Sequence, residues 1–373
     1  MSQNASHPPR LATLDLLRLV AALAVVAYHY LFRGAAGEPL MPVAYPEVAG
    51  IAIYGYLGVN LFFLISGYVI SWSAEGRSWQ DFAVARFTRL YPAFLVCMTI
   101  TFAVLLAAGN VAFPVSLAQF LANIFMFSPA LGQPFVDGVY WSIILELVFY
   151  FWVMLAVATG VFDRYRLGLI AGMLLVAAIN ETFLGSGALR MAFVTEFAPW
   201  FALGMLAQFV QNRGISNEAA LIVAAALVLS LAHMTLTRDW METHYGVALS
   251  NAELIAANIA IVAIFVIALS VSGAVRATAA TFAIGGLTYP LYLLHQNIGY
   301  VAIGALAPMA GRWLTALAVT AAMIALSWAV WRYVETPLRR TLTTRLTAVV
   351  ARVAALISRR RRRSPSLLSL ASK

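Results

Sequence analysis

Runs of about twenty consecutive apolar residues follow one another from residue 14 almost to residue 331, and no other feature of this sequence restricts its fold so severely. A hydrocarbon layer roughly 30 Å thick is crossed by about 20 apolar residues wound as a helix, since a helix satisfies its own backbone polar groups away from water. Charged residues make up 10% of the chain, against about 25% in soluble domains, too few to clothe a surface that faces water. The expected class is all-α: a polytopic integral membrane helical bundle with about ten transmembrane helices. These are expected at 14–32, 51–73, 90–108, 140–161, 167–184, 191–210, 219–236, 254–272, 282–306 and 313–331. The stretch 114–127 is apolar but short, so it reads as an interfacial or re-entrant segment. One membrane-embedded domain, 14–340, is expected between a leader, 1–13, and a basic tail, 341–373.

The formal charge of +9 does not indicate nucleic acid as a partner, because the basic residues sit in short loops and in the run Arg359 to Arg363. With the N-terminus in the cytoplasm, that side collects Arg10, Arg77, Arg86, Arg89, Arg164, Arg166, Arg213, Arg276 and every basic residue from Arg332 onward. The opposite side holds Arg33, Arg190, Arg238 and Arg312. Cytoplasmic loops carry the excess of Lys and Arg, so the expected orientation is N-in/C-in, with the five-arginine run against anionic membrane lipid. The first apolar run contains Asp15 and Arg18, unlike a cleaved signal peptide, and is expected to remain as a membrane helix. The single cysteine, Cys97, gives neither a disulfide framework nor a metal-binding spacing.

Ionisable side chains at membrane depth are costly, and each one is a candidate for function. Arg18 and His29 lie eleven residues apart on the first helix, about 16 Å and three turns, hence on nearly the same face. Histidine can take a proton from a hydroxyl as that oxygen attacks a carbonyl; the plainer alternative is a hydrogen bond to a neighbouring helix. Ser142 and Glu146, four apart, share a face at a depth matching His29. A carboxylate there can orient the imidazole, or simply bind a neighbouring helix. Arg86 and Arg89 at the entrance of the third helix can clamp phosphate groups or snorkel to lipid phosphate. His295, downstream of Pro290, is either a second site residue or a packing partner, and Glu196 and Glu253 can line an acceptor site. His7, His233 and His244 carry no special expectation.

These segments, in this order, resemble the acyltransferase-3 family of integral membrane O-acyltransferases. The stretches that carry the resemblance are Leu14-Asp15-Leu16-Leu17-Arg18 running to His29, then Gly58-Val59-Asn60-Leu61-Phe62-Phe63-Leu64-Ile65-Ser66-Gly67 and Arg86-Phe87-Thr88-Arg89-Leu90-Tyr91-Pro92. They continue with Trp141-Ser142 and Glu146, Tyr289-Pro290-Leu291-Tyr292-Leu293-Leu294-His295, and Glu335-Thr336-Pro337-Leu338. One departure is Leu147, where the family often has a second acidic residue.

The resemblance implies transfer of an acyl group, commonly acetyl, from cytoplasmic acyl-CoA to a hydroxyl of a carbohydrate or glycoside, with membrane lipid as the surrounding partner. It implies His29, Glu146 and Arg18 as catalytic residues and Arg86, Arg89 and Arg18 as donor-binding residues. Ser142, Trp141, Asn60, Ser66, Tyr292, His295 and Glu196 are further candidates, and no metal is implied. In the expected mechanism His29, oriented by Glu146, deprotonates the acceptor hydroxyl; the alternative has Ser142 carry the acyl group transiently. A cell-surface polysaccharide is the expected acceptor and a bacterial inner membrane the expected location. The rival readings are acylation of a small natural product such as a macrolide, a transporter or flippase, and a membrane scaffold.

Overall fold

The computed structural model describes residues 11–363, apart from the side chains of 354 and 357–363. The first ten residues of the expected leader, with His7, and the last ten of the tail lie outside the described residues. So do the side chains of Arg359 to Arg363. Every regular element described is helical. In chain order the α-helices are α1 Ala12–Tyr28, α2 Pro46–Ala52, α3 Leu57–Ala74, α4 Trp79–Ala108, α5 Leu117–Ile124, α6 Trp141–Ala158, α7 Val161–Arg164 and α8 Arg166–Ile179. They continue as α9 Gly187–Phe193, α10 Ala198–Arg213, α11 Asn217–Tyr245, α12 Asn251–Ser270, α13 Ala279–Ala310, α14 Arg312–Val330 and α15 Thr336–Arg363.

Among the described residues, nine helices are long and apolar enough to cross a membrane, and the chain is a multi-pass membrane protein. The 32-residue α13, which covers the expected span 282–306, is not among the nine. Its middle carries Tyr289, Pro290, His295, Gln296 and Asn297, which lower its hydropathy, yet its residues from Gly285 to Asn297 are mostly buried. The bundle packs α13 against α1, α4 and α14, so this polar stretch lies among neighbouring helices. Helices α3 and α10 approach through glycines: a Cβ on Gly67 or on Gly204 would overlap the facing backbone. Small residues permit such close contact, which matters where apolar burial gives little drive between helices.

Two expected boundaries move. The third span begins at Trp79 rather than 90, because Ser78 caps it by accepting the Asp81 N–H at 3.1 Å. Arg86 and Arg89 therefore sit on the helix itself, three residues apart, and the helix runs on through Pro92. The chain also stays helical beyond residue 340, where Thr343 of α15 donates to Thr88 of α4 at 3.1 Å. The short segment expected within 114–127 contains α5, opened by a Ser116–Gln119 capping box.

Helix α1 loosens into a π-helical turn over His29–Arg33, in which the Gly34 N–H reaches the His29 carbonyl at 2.9 Å. Single π turns of this kind recur at functional sites.

Candidate active site

A charged cavity lies between α1, α3, α4, α6, α13 and α15 and has a volume of about 310 Å³. Four arginines line it: Arg18 from α1, Arg86 and Arg89 from α4, and Arg339 from α15. Asp15 and Glu146 are its carboxylates. Arg18 is held by Asp15 one turn away at 3.1 Å, and its side chain is 17% exposed, so the charge reaches the cavity instead of being sealed in the protein. The Nε of Arg86 is buried and has no hydrogen-bond partner among the described residues. Its guanidinium lies 5.9 Å from the ring centres of Phe82 and Tyr150.

Glu146 accepts hydrogen bonds from the hydroxyls of Ser66, at 2.6 Å, and Tyr150, at 2.5 Å. Both go to the same carboxylate oxygen. The expected contact between Glu146 and His29 is thus not formed. Glu146 lies one helical turn beyond Ser142 and lines the cavity with Arg18, Arg86 and Arg89.

Towards the other end of the cavity, Ser142 and Tyr292 bring their hydroxyl oxygens within 2.7 Å, and the Val139 carbonyl accepts from Ser142 at 3.1 Å. No base is hydrogen-bonded to Ser142. One turn further along α13 is His295, wholly buried. Its Nε2 lies 3.0 Å from Nδ1 of His29, so the partner of His29 is a second imidazole. Tyr30 sits directly on Gly299, where a Cβ would overlap its ring, and from there its hydroxyl donates to the His295 carbonyl at 2.7 Å. Asp137, buried just ahead of α6, accepts the Asn297 N–H at 3.0 Å and ties the start of α6 to this part of α13.

The structure separates the remaining candidates. Trp141, Ile144 and Leu145 lie on the opposite face of α6 from Ser142 and line a second, largely apolar cavity of about 500 Å³ with Glu196 and Arg190. Asn60 is buried in α3, does not line the arginine cavity, and its Nδ2 has no hydrogen-bond partner among the described residues. Arg18 and His29 share one helix but serve different places: Arg18 lines the cavity, whereas His29 sits beyond it against α13. Sequence reasoning missed Arg339, placed next to the tail, and Tyr150, whose i,i+4 spacing from Glu146 was the available signal. It also missed Tyr30 and Asp137, whose partners on α13 are more than 150 residues away.

The chain that builds this site matches known proteins in sequence. The acyltransferase-3 family, defined by an acyltransferase domain, matches residues 11–332, and the chain belongs to that family. It is similar to an O-acetyl transferase of Shigella phage Sf6, 39% identical over 90 residues, which are 24% of this chain and 25% of that protein. Acyltransferase MdmB of Streptomyces mycarofaciens is 25% identical over 253 residues, 61% of this chain and 64% of its own. Peptidoglycan O-acetyltransferase OatA of Listeria monocytogenes is 32% identical over 95 residues, 24% of this chain and 12% of OatA. The match therefore spans a quarter of the phage protein and under two-thirds of MdmB. No solved structure matches the chain significantly.

Proposed function

We propose that the protein transfers an acyl group, acetyl by family habit, from acyl-CoA to a hydroxyl of a carbohydrate or glycosylated acceptor. The observation that carries this reading is the joining, along α13, of a four-arginine cavity to a histidine pair one turn beyond it. Arginine guanidinium groups present fixed donors to phosphate oxygens, and several around one cavity suit the phosphates of a CoA donor better than a neutral ligand. A cavity of about 310 Å³ is at the small end for ligand sites, so it fits part of the donor, with the rest towards its opening.

In this reading Arg18, Arg86, Arg89 and Arg339 hold the donor, and Glu146 with Ser66 and Tyr150 keeps the arginine pair of α4 in place. The thioester lies near Tyr292. His29 removes the acceptor's hydroxyl proton as its oxygen attacks the thioester carbonyl; the C–O bond forms, the C–S bond breaks, and the proton leaves with the CoA thiolate. Direct transfer is favoured over an acyl-serine, since Ser142 bonds to a tyrosine and a carbonyl and not to a base.

The arginine distribution supports an N-in/C-in orientation in a bacterial inner membrane, with α13 as a tenth crossing, the cavity opening to the cytoplasm and 14–340 as the catalytic domain. A surface polysaccharide is the acceptor class we favour, supported by the peptidoglycan named in one relative. Membership of an acyltransferase family disfavours the transporter and scaffold readings.

The test is acetyl-CoA consumption by the purified protein, wild type beside His29→Ala, with monodispersity as the folding control. Thiol release by wild type and its loss in a folded His29→Ala supports the proposal. Equal release by both contradicts it.

A further inference from the structure

We propose that His295 is a positioning residue for His29, accepting a hydrogen bond at its Nε2 from His29 Nδ1–H and so leaving Nε2 of His29 as the basic atom. This rests on the reading of His29 as the base, and it replaces the carboxylate expected in that place.

The protonation pattern follows from the acceptors around the two rings. Nδ1 of His295 faces the carbonyls of Tyr292, at 2.9 Å, and Leu291, at 3.1 Å. Carbonyl oxygens only accept, so this nitrogen carries the proton and, in the neutral ring, Nε2 is a lone pair. Nδ1 of His29 faces the Val25 carbonyl at 2.9 Å and that Nε2 at 3.0 Å. Two acceptors meet one nitrogen, which must therefore be N–H, with its hydrogen shared between them. The reverse assignment, a proton on Nε2 of His295 directed at a bare Nδ1 of His29, would set lone pairs against three carbonyl oxygens. Only one neutral arrangement satisfies every contact, and in it the free lone pair of the dyad is Nε2 of His29.

The same arrangement serves the transfer step. When Nε2 of His29 takes the hydroxyl proton, the ring becomes an imidazolium and Nδ1–H becomes a stronger donor, to a carbonyl and to an imidazole nitrogen already in place. Neither acceptor needs to reorient or carry a charge of its own. The ring of His295 is fixed by its two carbonyls and by full burial, and Tyr30 holds its backbone. An orienting partner of this kind selects the productive tautomer and stabilises the cation, the part a carboxylate plays in other base dyads.

The chain has five histidines, so selective 15N labelling of histidine gives a readable spectrum of the intact protein in detergent. The expected result in wild type is His29 protonated at Nδ1, with a scalar coupling across the hydrogen bond to Nε2 of His295. In acetyl-CoA consumption, a folded His295→Leu is expected to lose roughly 10²-fold in turnover. His295→Gln, which keeps an acceptor near the same point, is expected to stay within about tenfold of wild type. Nδ1 of His29 unprotonated, or His295→Leu turning over at the wild-type rate while His29→Ala is inactive, would overturn the pairing. Turnover by His29→Ala would instead contradict the base itself, a separable result.

Discussion

The two ends of the site solve the cost of polar groups in a membrane in opposite ways. The arginine cavity keeps its charges near an opening, with Arg18 17% exposed and paired to Asp15. At the histidine pair the orienting ring is closed off: His295 is 0% exposed and satisfies its polar atoms with carbonyls and the half-buried His29 ring. An isolated buried charge costs several kcal/mol, whereas a hydrogen-bonded neutral imidazole costs far less. Permanent charge is thus placed where, on the proposed reading, a charged donor enters. Under the proposed reaction, the groups that change charge only during transfer sit where the helices pack.

That contrast gives the two regions different signatures under mutation. The largest effect is expected at the histidine pair, where His29→Ala should lower acetyl-CoA turnover by roughly 10³-fold with little change in donor affinity, as read by steady-state kinetics. Next, Arg86→Gln or Arg89→Gln should raise the KM for acetyl-CoA by about 10- to 100-fold, the loss of one charge-assisted contact to phosphate. Arg339→Gln should do the same more weakly, and its difference from wild type should shrink as ionic strength rises. Gly299→Leu should force Tyr30 off α13 and destabilise the bundle by about 1–3 kcal/mol, seen as a lower thermal unfolding midpoint and slower turnover without a KM change.

The smallest effect is expected away from both regions. At the loop after α3, Glu75 accepts from Gln208 at 2.9 Å and Asn212 at 3.0 Å, with Arg166 3.4 Å away. Partial burial alone would raise its carboxyl, but the Gln208 amide and the Arg166 guanidinium hold it below the usual carboxylate value. Because the folded value is the lower one, its contribution is present above the ordinary carboxylate range and is lost as pH falls through the lowered value. Glu75→Gln should therefore flatten the acid side of the stability curve by less than about 1 kcal/mol while leaving turnover at neutral pH unchanged.

Much of the fold was legible because span length and hydropathy are local properties. The helix start at Trp79 was not, since Arg86 and Arg89 look like loop residues until a cavity is known to receive them. Helix α13 was legible as the span 282–306 although Tyr289, Pro290, His295, Gln296 and Asn297 depress its apolar signal. Arg18, Arg86, Arg89, Ser142 and Glu146 were recognised as candidates and do meet around one cavity. The partner of His29 was misassigned, because equal depth on two helices was taken for contact. His29 and His295 are 266 positions apart, and no spacing rule reveals such a pair. Trp141 shows the same limit: it adjoins Ser142 in sequence but turns to another cavity, since neighbours on a helix point about 100° apart.

The most direct measurement of the division between donor-holding arginines and a proton-accepting histidine is the dependence of turnover on acetyl-CoA concentration for purified Arg89→Gln and His29→Ala beside wild type. The expected result is a raised KM with largely preserved kcat for Arg89→Gln, and a collapsed kcat with unchanged donor binding for His29→Ala. Unchanged KM in Arg89→Gln, or wild-type kcat in His29→Ala, would contradict it.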